Sequence, residues 1–224
     1  YRHPIQTLKF FGIKENMTVV EIWPGGAGWY TEILAPLLQD QGKLYAAHFS
    51  GESEIPYFKK SLAQFKEKIN ARPDIYGKIE LTVLQPPETL KIAPDNSADA
   101  VLTFRNRHNR TKTGHASAIF GSMFKALKPG GVLGVVEHRN NSGLEQDPQA
   151  KSGYVSEDYV VLLARKAGFE FLEKSEINAN PSDSGNHPKG VWTLPPSLKL
   201  ADRDKDKYLA IGKSDRMTLK FIKP

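Results

Sequence analysis

The sequence predicts an α/β fold: a mostly parallel sheet with helices packed against it. Three observations predict it. Short apolar runs recur and alternate with segments of helical periodicity, the pattern that returns each strand to the same sheet through a helix. The first run, Thr18–Ile22, is nearly continuously apolar, as suits a strand buried on both faces. That run leads through Trp23 and Pro24 into Gly25-Gly26-Ala27-Gly28, a tight turn from strand to helix.

The elements follow in order. Pro4 suits a first helical turn and Gly12 a stop. A helix is therefore expected over Pro4–Phe11, with Ile5, Leu8 and Phe11 on one face. After the glycine turn a second helix carries Ile33, Leu34, Leu37 and Leu38, and Pro36 should bend or shorten it. A second strand, Lys43–Ala47, ends at His48. Phe58, Leu62, Phe65 and Ile69, spaced 4, 3 and 4 apart, predict an amphipathic helix. Strand three is Ile79–Leu84, stopped by Pro86 and Pro87, and strand four is Ala100–Phe104. A helix from His115 to Leu127 should end at Lys128-Pro129-Gly130-Gly131, before a fifth strand at Val132–Val136. Ser156 can cap a helix reaching Ala167, with Gly168 just past its end. Strand six is Phe169–Glu176. The closing strand is Arg216–Ile222, where Met217, Leu219 and Phe221 alternate with polar positions. Between Asn178 and Lys207 lies loop-like sequence rich in Pro, Asp and Lys. Loops that long are usually functional or disordered, and this one is expected to cover the carboxyl edge of the sheet.

A chain of 224 residues suits one domain, here expected over 1–224, and is somewhat short for two. With 39% hydrophobic and 25% charged residues, an ordinary folded domain is expected rather than a disordered chain. No apolar run approaches the roughly 20 residues of a membrane span. The chain begins at Tyr1 rather than Met, so an upstream segment carrying an export signal is compatible with it. The absence of cysteine excludes disulfides, thiolate metal sites and a cysteine nucleophile. The net charge of +6 and pI near 9.3 permit anionic partners. Lys and Arg are mixed with Glu and Asp, however, as in FKKSLAQFKEKIN, which reads as a solvated face and disfavours nucleic-acid binding. Nothing in the sequence sets the oligomeric state.

Other chemistries find little support. Asp202, Asp204 and Asp206 alternate like calcium ligands, but Lys207 and Lys213 stand where an EF-hand needs Gly and Glu. The six histidines show no pair at helical ligand spacing, so no metal site is expected. No G-x-S-x-G elbow and no Walker lysine is present. The dinucleotide fingerprint is only partly met: Gly26 and Gly28 fit its first two positions, but Thr31 occupies the third.

A buried strand, a glycine turn and a helix start nonetheless form a frequent ligand cradle, because small residues admit close approach and the helix start offers free N–H groups. A bare tight turn is the alternative. The order of segments resembles the class I S-adenosylmethionine (SAM) dependent methyltransferases over nearly the whole chain. The pieces that carry it are FFGIKENMTVVEIWPGGAGWYTEILAPLL, GKLYAAH, SADAVLTFRNRHN and FKALKPGGVLGVVEH. Within that superfamily the chain is similar to a bacterial group of predicted methyltransferases marked by PGG and LTFRNxHN.

The resemblance implies a Rossmann-like, seven-stranded, mostly parallel sheet with an antiparallel last strand and helices on both faces. It also implies SAM as cofactor, with S-adenosylhomocysteine as product. Glu21, Trp23, Pro24, Gly25, Gly26 and Gly28 would face the methionine part. His48 stands where the family usually offers a carboxylate to the ribose. A neutral imidazole can accept one hydrogen bond there, not two. Trp23 stands where a glycine is common, and would close or partly block the methionine pocket. Gln85, after strand three, falls in the segment that contacts adenine. Trp29 and Tyr30 add aromatic faces that can attract a sulfonium, although core packing explains aromatics there equally well.

Phe104, Arg105, Asn106, Arg107, His108 and Asn109 directly follow strand four, where open α/β sheets bind ligands. Arg105 or Arg107 can hold an anionic substrate or the SAM carboxylate, and Asn106 lies beside them. His108 is the candidate general base, with Asn109 next to it. His138 and Arg139, after strand five, form a second set. The activity expected is methyl transfer to a small-molecule acceptor, in the cytoplasm where SAM is found. Because His48 and Trp23 depart from the family pattern, the alternative is a non-catalytic protein of this fold, possible in an exported setting, that binds a small ligand or a partner. A nicotinamide oxidoreductase is disfavoured by Thr31 and by the lack of an acidic residue at the end of strand two.

Overall fold

The computed structural model describes residues 2–106, 115–140, 145–147 and 149–224. The chain runs α1 (Pro4–Phe11), β1 (Thr18–Ile22), α2 (Thr31–Leu38), β2 (Lys43–His48), α3 (Pro56–Ala71), α4 (Pro73–Tyr76), β3 (Glu80–Val83) and β4 (Ala98–Phe104). It continues through α5 (Ala116–Ala126), β5 (Leu127–His138), α6 (Glu157–Ala167), β6 (Glu170–Ser175), a 3-10 turn (Gly190–Thr193), α7 (Lys205–Ile211) and β7 (Arg216–Ile222).

The seven strands form one sheet in the order β3-β2-β1-β4-β5-β7-β6. β3, β2, β1, β4 and β5 pair in parallel, and β7 is antiparallel to both of its neighbours. Strand order therefore reverses between β1 and β4, and the cleft beyond their carboxyl ends is where ligands of such sheets bind. The central strands are buried because both faces are covered. On one face α1 and α2 set Leu8, Phe11, Leu34 and Leu38 against Val19, Leu44 and Leu102. On the other, Ile119, Phe120 and Met123 of α5 and Val160 and Leu163 of α6 join Val101, Leu133 and Leu219.

Local chemistry explains several boundaries. Pro56 begins α3, where the missing N–H costs nothing. Ser156 caps α6 by accepting the Tyr159 N–H, and Gly168 closes that helix in the left-handed region. Pro36 sits inside α2, which ends two residues later at Leu38.

Three elements differ from the sequence expectation. β5 starts at Leu127, straight after α5, because the Lys-Pro-Gly-Gly segment pairs with the end of the chain: Gly130 N–H donates to the Lys223 carbonyl and Lys223 N–H to that of Gly131. The pairing with β4 shifts register across that segment. The short helix α4 was not foreseen, since four residues are too few to show a period. The segment between Asn178 and Lys207 contains the 3-10 turn and the start of α7. Buried polar contacts shape it: the Asn178 amide donates to Thr7 and Thr218, and the Asn180 amide to the carbonyls of Ile211 and Lys213. No helix among the described residues is long and apolar enough to cross a membrane.

Candidate active site

The carboxyl ends of β1, β4 and β5 meet around a cavity of about 280 Å³, close to the lower bound of about 300 Å³ for small-molecule pockets. Pro24 and Gly25 line one part of it, and Trp23, Phe49 and Tyr57 form an aromatic wall. Arg105, Asn106, His138, Ser214 and Arg216 bring polar groups, and Trp192, Pro195 and Pro196 reach in from the segment before α7. A larger groove of about 530 Å³, beside α5 and residues 90–95, lies away from the glycine turn. Lacking strand ends and the glycine cradle, it is not the candidate site.

The glycines of the turn differ in what surrounds them. Gly25 has φ +73, and beyond its chain neighbours a Cβ placed there would find no atom of the described residues within 4 Å; Gly25 itself lines the cavity. At Gly26 a Cβ would press on Gln64, and at Gly28 on Phe65; these two are small because α3 packs on them.

Trp23 adopts a left-handed backbone, φ 44, at a cost of about 1–2 kcal/mol for an L-residue. Its indole N–H donates to the Leu84 carbonyl at 2.9 Å. The ring stacks on Phe49, which stacks in turn on Phe58 with centroids 3.9 Å apart. These contacts hold the indole as a wall of the cavity, only 5% exposed.

Glu21 and His48 lie beneath the turn rather than along the cavity. Glu21 is buried and accepts the Thr31 hydroxyl at 2.6 Å, tying β1 to the start of α2. Burial pushes its carboxyl up to about 7 against that hydrogen bond. His48 is fully buried. Its Nδ1 accepts the Phe49 N–H at 2.8 Å, so the neutral ring carries its proton on Nε2. That atom lies against the Gly25 carbonyl without a well-aligned hydrogen bond. Burial pushes the imidazole down to about 4, with the Gly25 contact opposing, so the ring is neutral at pH 7.

The other candidates have definite places. Tyr30 stacks on Phe104, centroids 3.5 Å apart and planes 6° from parallel. Gln85 pairs its backbone with Thr89, and its side chain accepts the Ser50 N–H at 3.4 Å. The Asn106 amide donates to the Ile22 carbonyl, clamping the end of β4 to that of β1. His138 Nδ1 is 2.5 Å from Ser214 Oγ. Arg139 is held by Glu157, Glu176 and Asp215. Arg107, His108 and Asn109 lie outside the described residues.

Arg216, Ser214 and Trp192 line the cavity but were not singled out from the sequence. Arg216 occupies one of the polar positions of an alternating strand, which from sequence alone reads as solvent-facing. It is 3% exposed, because the sheet is covered on both sides. Burial, then the charges of Arg105 and Arg2, push it down to about 9.

Comparison with known proteins agrees with this architecture. No protein-family model matches the chain. A sterol 24-C-methyltransferase of Gibberella zeae, ERG6B, is 26% identical over 221 residues, covering 92% of this chain and 52% of that protein. The chain thus spans about half the length of this relative. A SAM-dependent methyltransferase from Aquifex aeolicus superposes with a TM-score of 0.63 at 19% identity, over 99% of this chain and 89% of that one. Phosphoethanolamine N-methyltransferase 2 of Haemonchus contortus, solved with SAM bound, gives 0.61 at 16% identity, over 99% of this chain and 52% of that one. The [4+2]-cyclase SpnF gives 0.64 at 14% identity, over 99% and 79%. The chain has the fold of the class I SAM-dependent methyltransferases, with the seven-stranded sheet and antiparallel β7 expected of it. A fold alone does not assign a reaction, as a cyclase among these neighbours illustrates.

Proposed function

We propose that this chain is a SAM-dependent methyltransferase acting on a small-molecule acceptor, that residues 1–224 work as one unit, and that it belongs with the bacterial group marked by PGG and LTFRNxHN. The observation that carries the reading is the open side of Gly25 at the carboxyl end of β1, on a cavity at the point where strand order reverses. Pro24 and Gly25 would hold the methionine end of the cofactor, and the wall of Trp23, Phe49 and Tyr57 offers ring faces suited to a purine. SAM, when bound, supplies an electrophilic methyl group. Methyl transfer needs alignment and exclusion of water more than covalent help. Trp192, Pro195 and Pro196, on the segment read as a cover, line the cavity and can exclude water. His138, anchored on Ser214, is the candidate to receive a proton among the described residues. His108, with Asn109, keeps the same proposed role.

One observation favours a second reading, a non-catalytic protein of this fold that binds a ligand or a partner through the same cleft. His48, neutral and fully buried, stands where the resemblance implies a carboxylate for the ribose. Isothermal titration with SAM and S-adenosylhomocysteine decides between the two. Micromolar binding that is lost in Gly25→Trp, with the circular dichroism of the wild type retained, supports the cofactor reading. No binding by the wild type at millimolar SAM overturns it in favour of the second.

A further inference from the structure

Two arginines line one end of the cavity, and two further cations lie within electrostatic reach of them. Arg105 and Arg216 line it. Arg2 and Lys213 are close enough to act on both or either of them: Arg2 on Arg105 and Arg216, and Lys213 within the field of all three arginines. The carboxylate that acts on Arg105 and Arg216 is Glu137, buried at the end of β5. Arg139, a few residues away, shows the contrasting arrangement. It has three carboxylates within 3.1 Å, from Asp215, Glu157 and Glu176, and so is neutralised locally.

Taking a cation out of water costs several kcal/mol unless an opposite charge compensates. At the Arg105–Arg216 end, Glu137 is the carboxylate among the described residues whose charge is seen to act on both arginines, and several cations gather beside a partly open cavity. Lys213 shows the strain: burial first, then Arg2, Arg216 and Arg105, push it down to about 8. Apolar side chains would fill this space at lower cost. Guanidinium groups present a planar fork of donors that matches carboxylate and phosphate oxygens. Asn106, His138 and Ser214 add neutral polar groups along the same wall.

We propose that the Arg105–Arg216 end of the cavity is an anion site, and that the acceptor carries a carboxylate or phosphate group bound there. The second half rests on the methyl-transfer reading; the anion site itself does not. The carboxylate of SAM is the other source of the same chemistry, and the test separates the two.

Inorganic phosphate is titrated into the wild type, Arg216→Lys and Arg216→Met, with calorimetry and the fluorescence of Trp23 and Trp192 as readouts. SAM and 5′-methylthioadenosine, which lacks the carboxylate, are titrated into the same proteins, and thermal melts confirm that each is folded. Phosphate affinity should fall about tenfold to a hundredfold in Arg216→Met, the loss expected for a charge-assisted contact, and less in Arg216→Lys. Affinity for SAM should stay unchanged. Equal phosphate binding by wild type and Arg216→Met overturns the anion site. A loss of SAM affinity in Arg216→Met without a matching loss for methylthioadenosine assigns the site to the cofactor and overturns the acceptor proposal. Arg216-dependent phosphate binding in a wild type that binds no SAM leaves the anion site standing and overturns the acceptor half together with the methyl-transfer reading.

Discussion

Replacing Asp183 by Ala tests what holds the segment before α7 over the cavity. The Asp183 carboxylate is fully buried. Its Oδ1 accepts the Gly185 N–H at 2.9 Å and contacts His187 Nε2 at 2.8 Å. Its Oδ2 accepts the Asp215 N–H at 2.7 Å, and the Tyr154 hydroxyl reaches both oxygens at 2.8 and 2.9 Å. One side chain thus joins the start of the segment to Asp215, the residue before β7, and to Tyr154. Burial, then the charge of Asp183, hold the Tyr154 phenol well above its ordinary value, so it remains a donor. In Asp183→Ala the Tyr154 hydroxyl and two amide N–H groups lose their acceptor, at about 1–3 kcal/mol for each buried group left unsatisfied. Such neighbours are not additive, so the expected loss is about 3–5 kcal/mol, the range for breaking a buried charged network. For a chain of this size that lowers Tm by about 6–20 °C. Tyr154→Phe removes one donor while Gly185, Asp215 and His187 still serve the carboxylate, and should cost about 1–2 kcal/mol. Urea and thermal unfolding of both variants and of the double variant measure the terms, and the double variant should be less destabilised than the two losses summed. A loss below about 1 kcal/mol in Asp183→Ala would refute the reasoning, since the network could not then be the anchor.

Two further outcomes are expected. Gly190 has φ +56, and a Cβ there would fall 2.0 Å from the Ser152 carbonyl oxygen, which also accepts the Val191 N–H at 2.9 Å; Gly190→Ala should cost about 2–4 kcal/mol and change the fluorescence of Trp192, and unaltered urea unfolding would contradict this. His48 takes up a proton near pH 4 in the native state but near 6.5 when unfolded, so the unfolded chain binds the proton first and stability falls as pH drops from 6.5 to 4. His48→Gln should flatten that slope by up to about 3 kcal/mol, and matching slopes for wild type and variant across a urea series would show that His48 is not buried neutral.

Features set by near neighbours in the chain were legible from the sequence. The apolar run Thr18–Ile22, the glycine turn after it and the 4, 3, 4 spacing from Phe58 to Ile69 each report a local period, and the structure forms β1, the turn and α3 there. Because ligands of such sheets sit beyond strand carboxyl ends, reading the residues after each strand also found Trp23, Pro24, Gly25, Arg105, Asn106 and His138, which line the cavity. The same rule could not separate them from Glu21, Gly26, Gly28, Tyr30, His48 and Gln85. Those lie in the same short stretches, but their side chains or hydrogen positions are taken up by Thr31, Gln64, Phe65, Phe104, Phe49 and Ser50.

What tertiary structure decided was the partner of each group across long separations. Nothing local says that the Trp23 indole will meet the Leu84 carbonyl, or that Asp183 will anchor to Tyr154 and Asp215. Nor can alternation along β7 show that Arg216 lines a cavity beside Arg105. Period 2 tells which residues share a face of a strand, but what covers that face is set by chain distant in sequence, here Arg105, Asn178 and Trp192. The sequence by itself determined the elements and the glycine turn, because those energies are local; the positively charged end of the cavity arises only when the fold brings Arg2, Arg105 and Lys213 within the field of one another and of the buried Arg216.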